Sequence, residues 1–156
     1  MPEKISSAIA AIRGSAKYPD IKGYAYFTLT EDGTAVSIAV RGLPYDMQTC
    51  DSPIFAVHIH KGRSCSGNAH DPFADAMSHW NPKNCPHPFH SGDMPPLFTA
   101  GRKASFAFLT DRFTPQDVIG KTIIIHKNYD DLHTQPSGAS GEKIACGEIK
   151  SVPDYP

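Results

Sequence analysis

A chain of 156 residues with a formal net charge of −1 is long enough to bury a core without help from disulfides or metal. The balanced charge and the absence of a Lys/Arg cluster argue against nucleic acid or an anionic membrane as partner, and no apolar run approaches the length of a membrane span. Fourteen prolines, twelve glycines and many β-branched and aromatic residues favour one domain, over 1–156, of short strands and structured loops.

Two further features bear on the compartment. The start, Met1-Pro2-Glu3-Lys4-Ile5, lacks the apolar core of a signal peptide, so a cytoplasmic location is expected, or a periplasmic or extracellular one if a leader has been removed. Cys50, Cys65, Cys85 and Cys146 are widely spaced and contain no CxxC pair. An even count fits two disulfides, which reducing cytosol disfavours, and equally fits four buried thiols.

In chain order, Ser7 to Arg13 and Lys22 to Thr30 read as strands. In the second, Ala25, Phe27 and Leu29 alternate with Tyr24, Tyr26 and Thr28, the period of two of a half-buried strand. Glu31-Asp32-Gly33 is a hairpin signal, and Thr34 to Arg41 resumes the alternation with Val36, Ile38 and Val40 facing inward. The pattern returns at Ile54 to His60, Ala104 to Thr110, Lys121 to His126 and Lys143 to Lys150. About eight antiparallel strands in an all-β, Greek-key sandwich or flattened barrel are expected. Thr114 as N-cap, Pro115 at the first helical position and Gly120 as terminator mark one short helix. Two stretches, Lys61 to Gly101 and Asp130 to Glu142, lack regular pattern. Irregular loops of such length in a small domain are usually functional.

The first of these loops, with the strand before it, carries the chemistry. His58 and His60 stand two apart on a strand, so their imidazoles leave the same face. That pair alone is as readily a wet surface as a site. His79, His87, His90 and Asp93 follow among Pro and Gly, and no helix or strand period explains them; His126 ends the apolar run Thr122 to Ile125. Imidazoles without thiolate suit copper or zinc, and three imidazoles with a carboxylate suit tetrahedral zinc. Two metals can have private ligand sets if His70 or His133 joins in; the more economical arrangement is one histidine bridging both.

The order His58-x-His60, His79-x-Asn81-Pro82, His90-x-x-Asp93-Met94-Pro95, Gly120-Lys121-Thr122-x-x-x-His126, Asp130-Asp131-Leu132 and Ala145-Cys146-Gly147 resembles the copper,zinc superoxide dismutase family from about Lys22 to Lys150. The resemblance implies dismutation of superoxide to dioxygen and hydrogen peroxide by a redox-cycling copper, with a neighbouring zinc. It places copper on His58, His60, His79 and His126, and zinc on His79, His87, His90 and Asp93, with His79 as the bridge. Asp130 matches the family's carboxylate that links a ligand of each metal without touching either. Cys146 matches the family's disulfide cysteine and Cys65 its partner. Among assemblies, the family brings a homodimer.

Departures from the family pattern are local. The gap from His87 to His90 is shorter than usual and that from His60 to His79 longer, which keeps His70 as a candidate replacement ligand. Cys50 and Cys85 form a second disulfide bracing the shortened loop, or remain thiols. Lys143 stands where the family has an arginine that guides the anionic substrate. It keeps the charge and loses the planar fork, and Glu142 beside it dilutes the field, so a slower reaction is expected. Rival readings are a copper-binding domain without turnover and a zinc hydrolase; the latter wants a carboxylate base beside an open zinc position, and no HExxH helix is present.

Overall fold

Alternation of apolar and polar side chains builds most of this molecule. The computed structural model describes residues 5–152; Met1 to Lys4, on which the leader argument largely rests, lie outside the described residues, as do 153–156. Strands β1 (Ser7–Gly14), β2 (Lys22–Thr30) and β3 (Gly33–Arg41) are followed by β4 (Ile54–Phe55), β5 (Val57–His60), β6 (Leu97–Phe98), β7 (Lys103–Thr110), β8 (Thr122–His126) and β9 (Lys143–Ser151). Seven of them pair antiparallel in the order β5-β8-β9-β1-β2-β3-β7, and β4 pairs with β6. Consecutive neighbours are interrupted at β3-β7, β5-β8 and β9-β1, as long Greek-key connections require. On β2 and β3 the inward residues Ala25, Phe27, Val36, Ile38 and Val40 are buried, and the residues between them face outward. Ile12, Phe55, Val57, Ile59, Leu97, Ile123, Ile125 and Ile144 complete the core. Helix α1 (Pro115–Val118) starts where the sequence places it, with the Asp117 carboxylate accepting the Thr114 N–H at 2.8 Å.

Strand ends agree with the sequence reading to a residue or so, with one informative exception. The single strand expected over Ile54 to His60 is broken at Ala56. There the chain changes partner, from β6 to β8, with Ala56 N–H donating to the Asn128 carbonyl and the Ala56 carbonyl accepting from His126 N–H, both at 2.9 Å. The shift lets β5 lie against β8 while its free edge receives the long loop. Ile59 accepts from Trp80 N–H at 2.8 Å and donates to the Gly92 carbonyl at 2.8 Å, and short bridges pair His58 with Asp93 and His60 with His79. All four residues of β5 are therefore buried: Val57 and Ile59 in the core, His58 and His60 beneath the loop.

The loop is held from its other end as well. Around a 3₁₀ turn at Ala74–Ala76, Phe73 and Ala76 pack on Ile124 and Cys146 as a small second core. Cys65 and Cys146 are disulfide-bonded across 81 residues of sequence, with Cα atoms 5.7 Å apart. A second disulfide between Cys50 and Cys85 is not formed; both are free, Cys50 exposed and Cys85 half-buried. The shortened loop is closed without it. The Asn81 side chain donates to the Cys85 carbonyl at 2.8 Å and accepts from Cys85 N–H at 2.9 Å, a reciprocal clasp within the loop itself.

Opening Cys65–Cys146 is expected to lower stability by about 2–5 kcal/mol, since the bond closes a long loop of the unfolded chain. Urea unfolding of Cys65→Ser/Cys146→Ser against the parent, metal-free in both cases, measures it; an unchanged midpoint would mean that the Phe73–Ile124 packing alone secures the loop.

Candidate metal centre

The face of β5 that carries His58 and His60 meets the end of β8, where a register irregularity between Ile125 and His126 re-aims the last side chain. His58, His60, His79 and His126 each offer one nitrogen, and these lie within 4.8 Å of one another. A second group under the same loop, His79, His87, His90 and Asp93, offers one atom each at the same mutual separation. His79 belongs to both groups. His58, His87 and Asp130 form a third cluster between them.

Hydrogen-bond partners decide which nitrogen of each ring is free. His60 Nδ1 donates to the Met77 carbonyl at 2.7 Å, and His126 Nδ1 to the Gly141 carbonyl at 3.1 Å. Their Nε2 atoms are then both bare lone pairs, and they face each other at 3.2 Å inside the protein. His58 Nε2 donates to Asp130 Oδ2 at 2.7 Å, which leaves its Nδ1 bare, buried and without a partner. His79 turns Nδ1 toward Asp93 Oδ1 at 3.0 Å and His90 Nδ1 at 3.3 Å, and its Nε2 is buried without a partner. His87 Nε2 donates to Asp130 Oδ1 at 2.8 Å, so its bare Nδ1 lies 3.1 Å from Asp93 Oδ2 without making a hydrogen bond. Lone pairs turned toward one another in a buried place repel unless a cation lies among them. The donor chemistry fits the two metals: four imidazole nitrogens on one side, three imidazoles and a carboxylate on the other.

Protons do not relieve the repulsion. Burial brings the His58 ring down to about 4 and the His126 ring to about 3, and it drives His60 well below the ordinary 6.5, helped by the charge His126 would carry. His90 is lowered too, chiefly by burial. Burial pushes the Asp93 and Asp130 carboxyls up, but hydrogen bonds from His79 to the first, and from His58 and His87 to the second, outweigh it and hold both below the usual range. His58, His60, His90 and His126 are thus held as neutral rings beside two carboxylates, ready for cations.

Several supporting residues carry no sequence signal of their own. Gln135 accepts from His87 N–H at 2.9 Å and donates to the His87 carbonyl at 2.7 Å, tying the second loop to the first. Gly138, at φ +71°, lies so close to Asp130 and His87 that a Cβ there would sit 1.9 Å from Asp130 Oδ1. Arg112 donates to the His90 carbonyl at 3.1 Å and braces the metal loop from outside. Met77, also at positive φ, presents the carbonyl that fixes His60. By contrast, His70 and His133 are exposed and belong to none of the three groups found among the described residues.

A cleft of about 510 Å³ opens onto His60, His79 and His126, with Lys143, Ser137 and Lys61 on its walls. Lys143 Nζ lies 2.8 Å from Asp71 Oδ2 and donates to the Phe73 carbonyl at 3.2 Å. Burial raises the Asp71 carboxyl, but the bonds from Lys143 and Phe73 N–H outweigh it and keep it ionised. Glu142, expected to dilute the field, turns to Lys17 at 3.2 Å and Tyr18 at 3.0 Å. The carboxylate that faces Lys143 is Asp71, which the sequence reading missed.

These features define a β-barrel metalloprotein with two adjoining metal groups that share one imidazole. The profile of the copper/zinc superoxide dismutase (SODC) family matches residues 21–149. A Deinococcus radiodurans superoxide dismutase [Cu-Zn] is 31% identical over 151 residues, 85% of this chain and 79% of that one. One from Legionella pneumophila is 30% identical, over 90% of this chain and 85% of its own. In three dimensions a Cu/Zn superoxide dismutase from Brucella abortus superposes with TM-score 0.75 over 92% of this chain and 99% of its own, at 21% identity, a likeness of fold. The chain belongs to the copper/zinc superoxide dismutase family.

The metal-free protein is expected to lose stability on acidification. His58 and His126 are held neutral when folded and titrate near 6.5 when unfolded, so the unfolded chain binds more protons below that value. The loss begins as pH falls through about 6.5 and is complete near 3, amounting to on the order of 3 kcal/mol by pH ~5. Urea titrations of the chelator-treated protein at neutral and acid pH measure it, and equal midpoints would contradict buried neutral rings.

Proposed function

We propose that His58, His60, His79 and His126 would hold copper, that His79, His87, His90 and Asp93 would hold zinc, and that the chain dismutates superoxide to dioxygen and hydrogen peroxide. The observation that carries this reading is the pair of bare Nε2 atoms of His60 and His126, buried and 3.2 Å apart, whose other nitrogens are committed as donors. Bound copper supplies one-electron redox chemistry, while zinc supplies a fixed charge and no redox chemistry.

The rest falls to the protein. Two superoxide anions and two protons give one dioxygen and one peroxide, so the cleft has to attract an anion and provide a proton. His79 Nε2 is buried at the cleft, and whenever it is not engaged by copper it would be the atom that holds and passes on a proton. Asp93 fixes the other side of the same ring, and Asp130 orients His58 and His87 by accepting from both. Lys143 docks the anion on the cleft wall. Its pairing with Asp71 offsets part of the attraction that a free cation would exert.

No helix among the described residues is long and apolar enough to cross a membrane. The Cys65–Cys146 bond favours an oxidising compartment, periplasmic or extracellular, over the cytoplasm that the N-terminus leads one to expect.

Reconstituted protein is expected to bind one copper and one zinc per chain, by elemental analysis, and to consume superoxide in a pulse-radiolysis assay; full metal occupancy without turnover would favour a copper-binding domain. In the same assay Asp71→Asn is expected to raise kcat/KM at low salt by a few-fold, the gain vanishing at high salt as screening sets in. A fall at every salt concentration would make Asp71 a brace for Lys143 and not a brake on its charge.

A further inference from the structure

The chain has no cluster of basic residues in sequence, yet the sheet makes one in space. Arg13 on β1 stands opposite Lys22 on β2, Lys22 opposite Arg41 on β3, and Arg41 opposite Lys103 on β7. All four side chains point to the outer face, where the residues are exposed. Neighbouring strands lie about 4.8 Å apart, so the row spans about 14 Å with a cation on every strand. Like charges directly opposite one another destabilise a sheet. Among the described residues, none of the four side chains makes an ion pair or hydrogen bond. Of the carboxylates beside the row, Asp20 is already engaged by Arg102 at 3.2 Å, and Glu148 lines a neighbouring hollow with Arg13 without pairing with it.

The row borders a cleft of about 630 Å³ that shares no residue with the metal cleft. Its apolar walls include Tyr24, two residues beyond Lys22 on the same face, and Phe98, 65% exposed. That volume suits a small molecule more than an extended chain. Alternating Arg and Lys suit phosphate, to which Arg donates as a fork and Lys as a point charge. Exposed aromatic rings beside a cationic track suit a planar ring.

We infer that this cleft binds a small ligand with a polyphosphate chain and a planar ring, of the class of nucleoside triphosphates, its phosphates along Arg13, Lys22, Arg41 and Lys103 and its ring against Tyr24 or Phe98. The site is independent of the metal centre, so superoxide consumption stays unchanged when it is removed.

Titration calorimetry of the copper- and zinc-loaded protein with ATP at low salt tests this, with metal content checked after each titration. ATP is expected to bind in the micromolar range and to raise the Tm. Tripolyphosphate is expected to bind roughly tenfold more weakly for want of the ring, and adenosine not measurably. Lys22→Ser/Arg41→Ser should abolish ATP binding while the Tm of the unliganded protein holds or rises, because repulsion is relieved; the superoxide assay on the same variant reports an intact fold. The inference is overturned if ATP binds that variant as well as it binds the parent. It is equally overturned if tripolyphosphate matches ATP, or if a heparin fragment or a duplex oligonucleotide binds more tightly than ATP, which would make the row a track for an extended polyanion.

Discussion

One carboxylate holds the site in its working form. Asp130 accepts from His58 on one side and His87 on the other, and from Leu132 N–H at 2.8 Å. A buried charge is costly unless it is fully hydrogen-bonded, and three donors meet that condition here. In return the carboxylate decides the tautomer of a ring in each metal group. His58 and His87 can donate through Nε2 only by presenting Nδ1 as a lone pair, and that is the atom turned inward. Without Asp130 either ring could rotate or swap its proton, and both groups would lose a donor together. Gly138 is the backbone counterpart of this constraint, since any side chain there would occupy the place of the carboxylate.

The sheet supplies what a single carboxylate cannot. A strand with one face on the core offers the other face for function, and β5 uses that freedom by burying Val57 and Ile59 below and presenting His58 and His60 above. The loop then covers the second face through backbone bonds to Ile59, so the rings are dry although they stand on the outside of the sheet. Dryness keeps them neutral, and neutrality keeps their lone pairs available. The disulfide and the Phe73–Ile124 packing work at the far end of the same loop, so its length becomes a cover and not a liability.

Period-two alternation over β2, β3 and β7 made the strands legible from sequence, because each has one wet face. The ring positions were legible because His79, His87, His90 and Asp93 in an irregular stretch, with His58 and His60 on the strand before it and His126 after an apolar run, have no other structural reason. What could not be read lies where backbone geometry or distance through space decides. The break at Ala56 has no marker, since Ile54 to His60 is apolar enough for one unbroken strand. The positive φ of Met77 and the fork of contacts at Arg112 depend on a loop path that no period encodes. The Cys50–Cys85 bond was a reasonable expectation from parity, but both thiols are free, and the amide side chain of Asn81 holds Cys85 locally.

Charge shows the same limit more sharply. A net of −1 over the whole chain is a sum, and sums hide layout. At the cleft over His60, His79 and His126 the chain pairs its cation: Lys143 is held by Asp71, which tempers its pull on any anion there. Along β1, β2, β3 and β7 it does the reverse and leaves four cations facing one another with no carboxylate among them. A sheet needs no such row for its own stability, because alanine, serine and tyrosine fill the neighbouring outward positions at Ala39, Ser105 and Tyr24. Residues 9, 28 and 90 positions apart from Arg13 come into line only through strand register, which is why a search for runs of Lys and Arg passes over them. The same argument separates the two clefts chemically: a paired lysine suits passage of a small, short-lived anion, whereas an unpaired row suits retention of a multiply charged one.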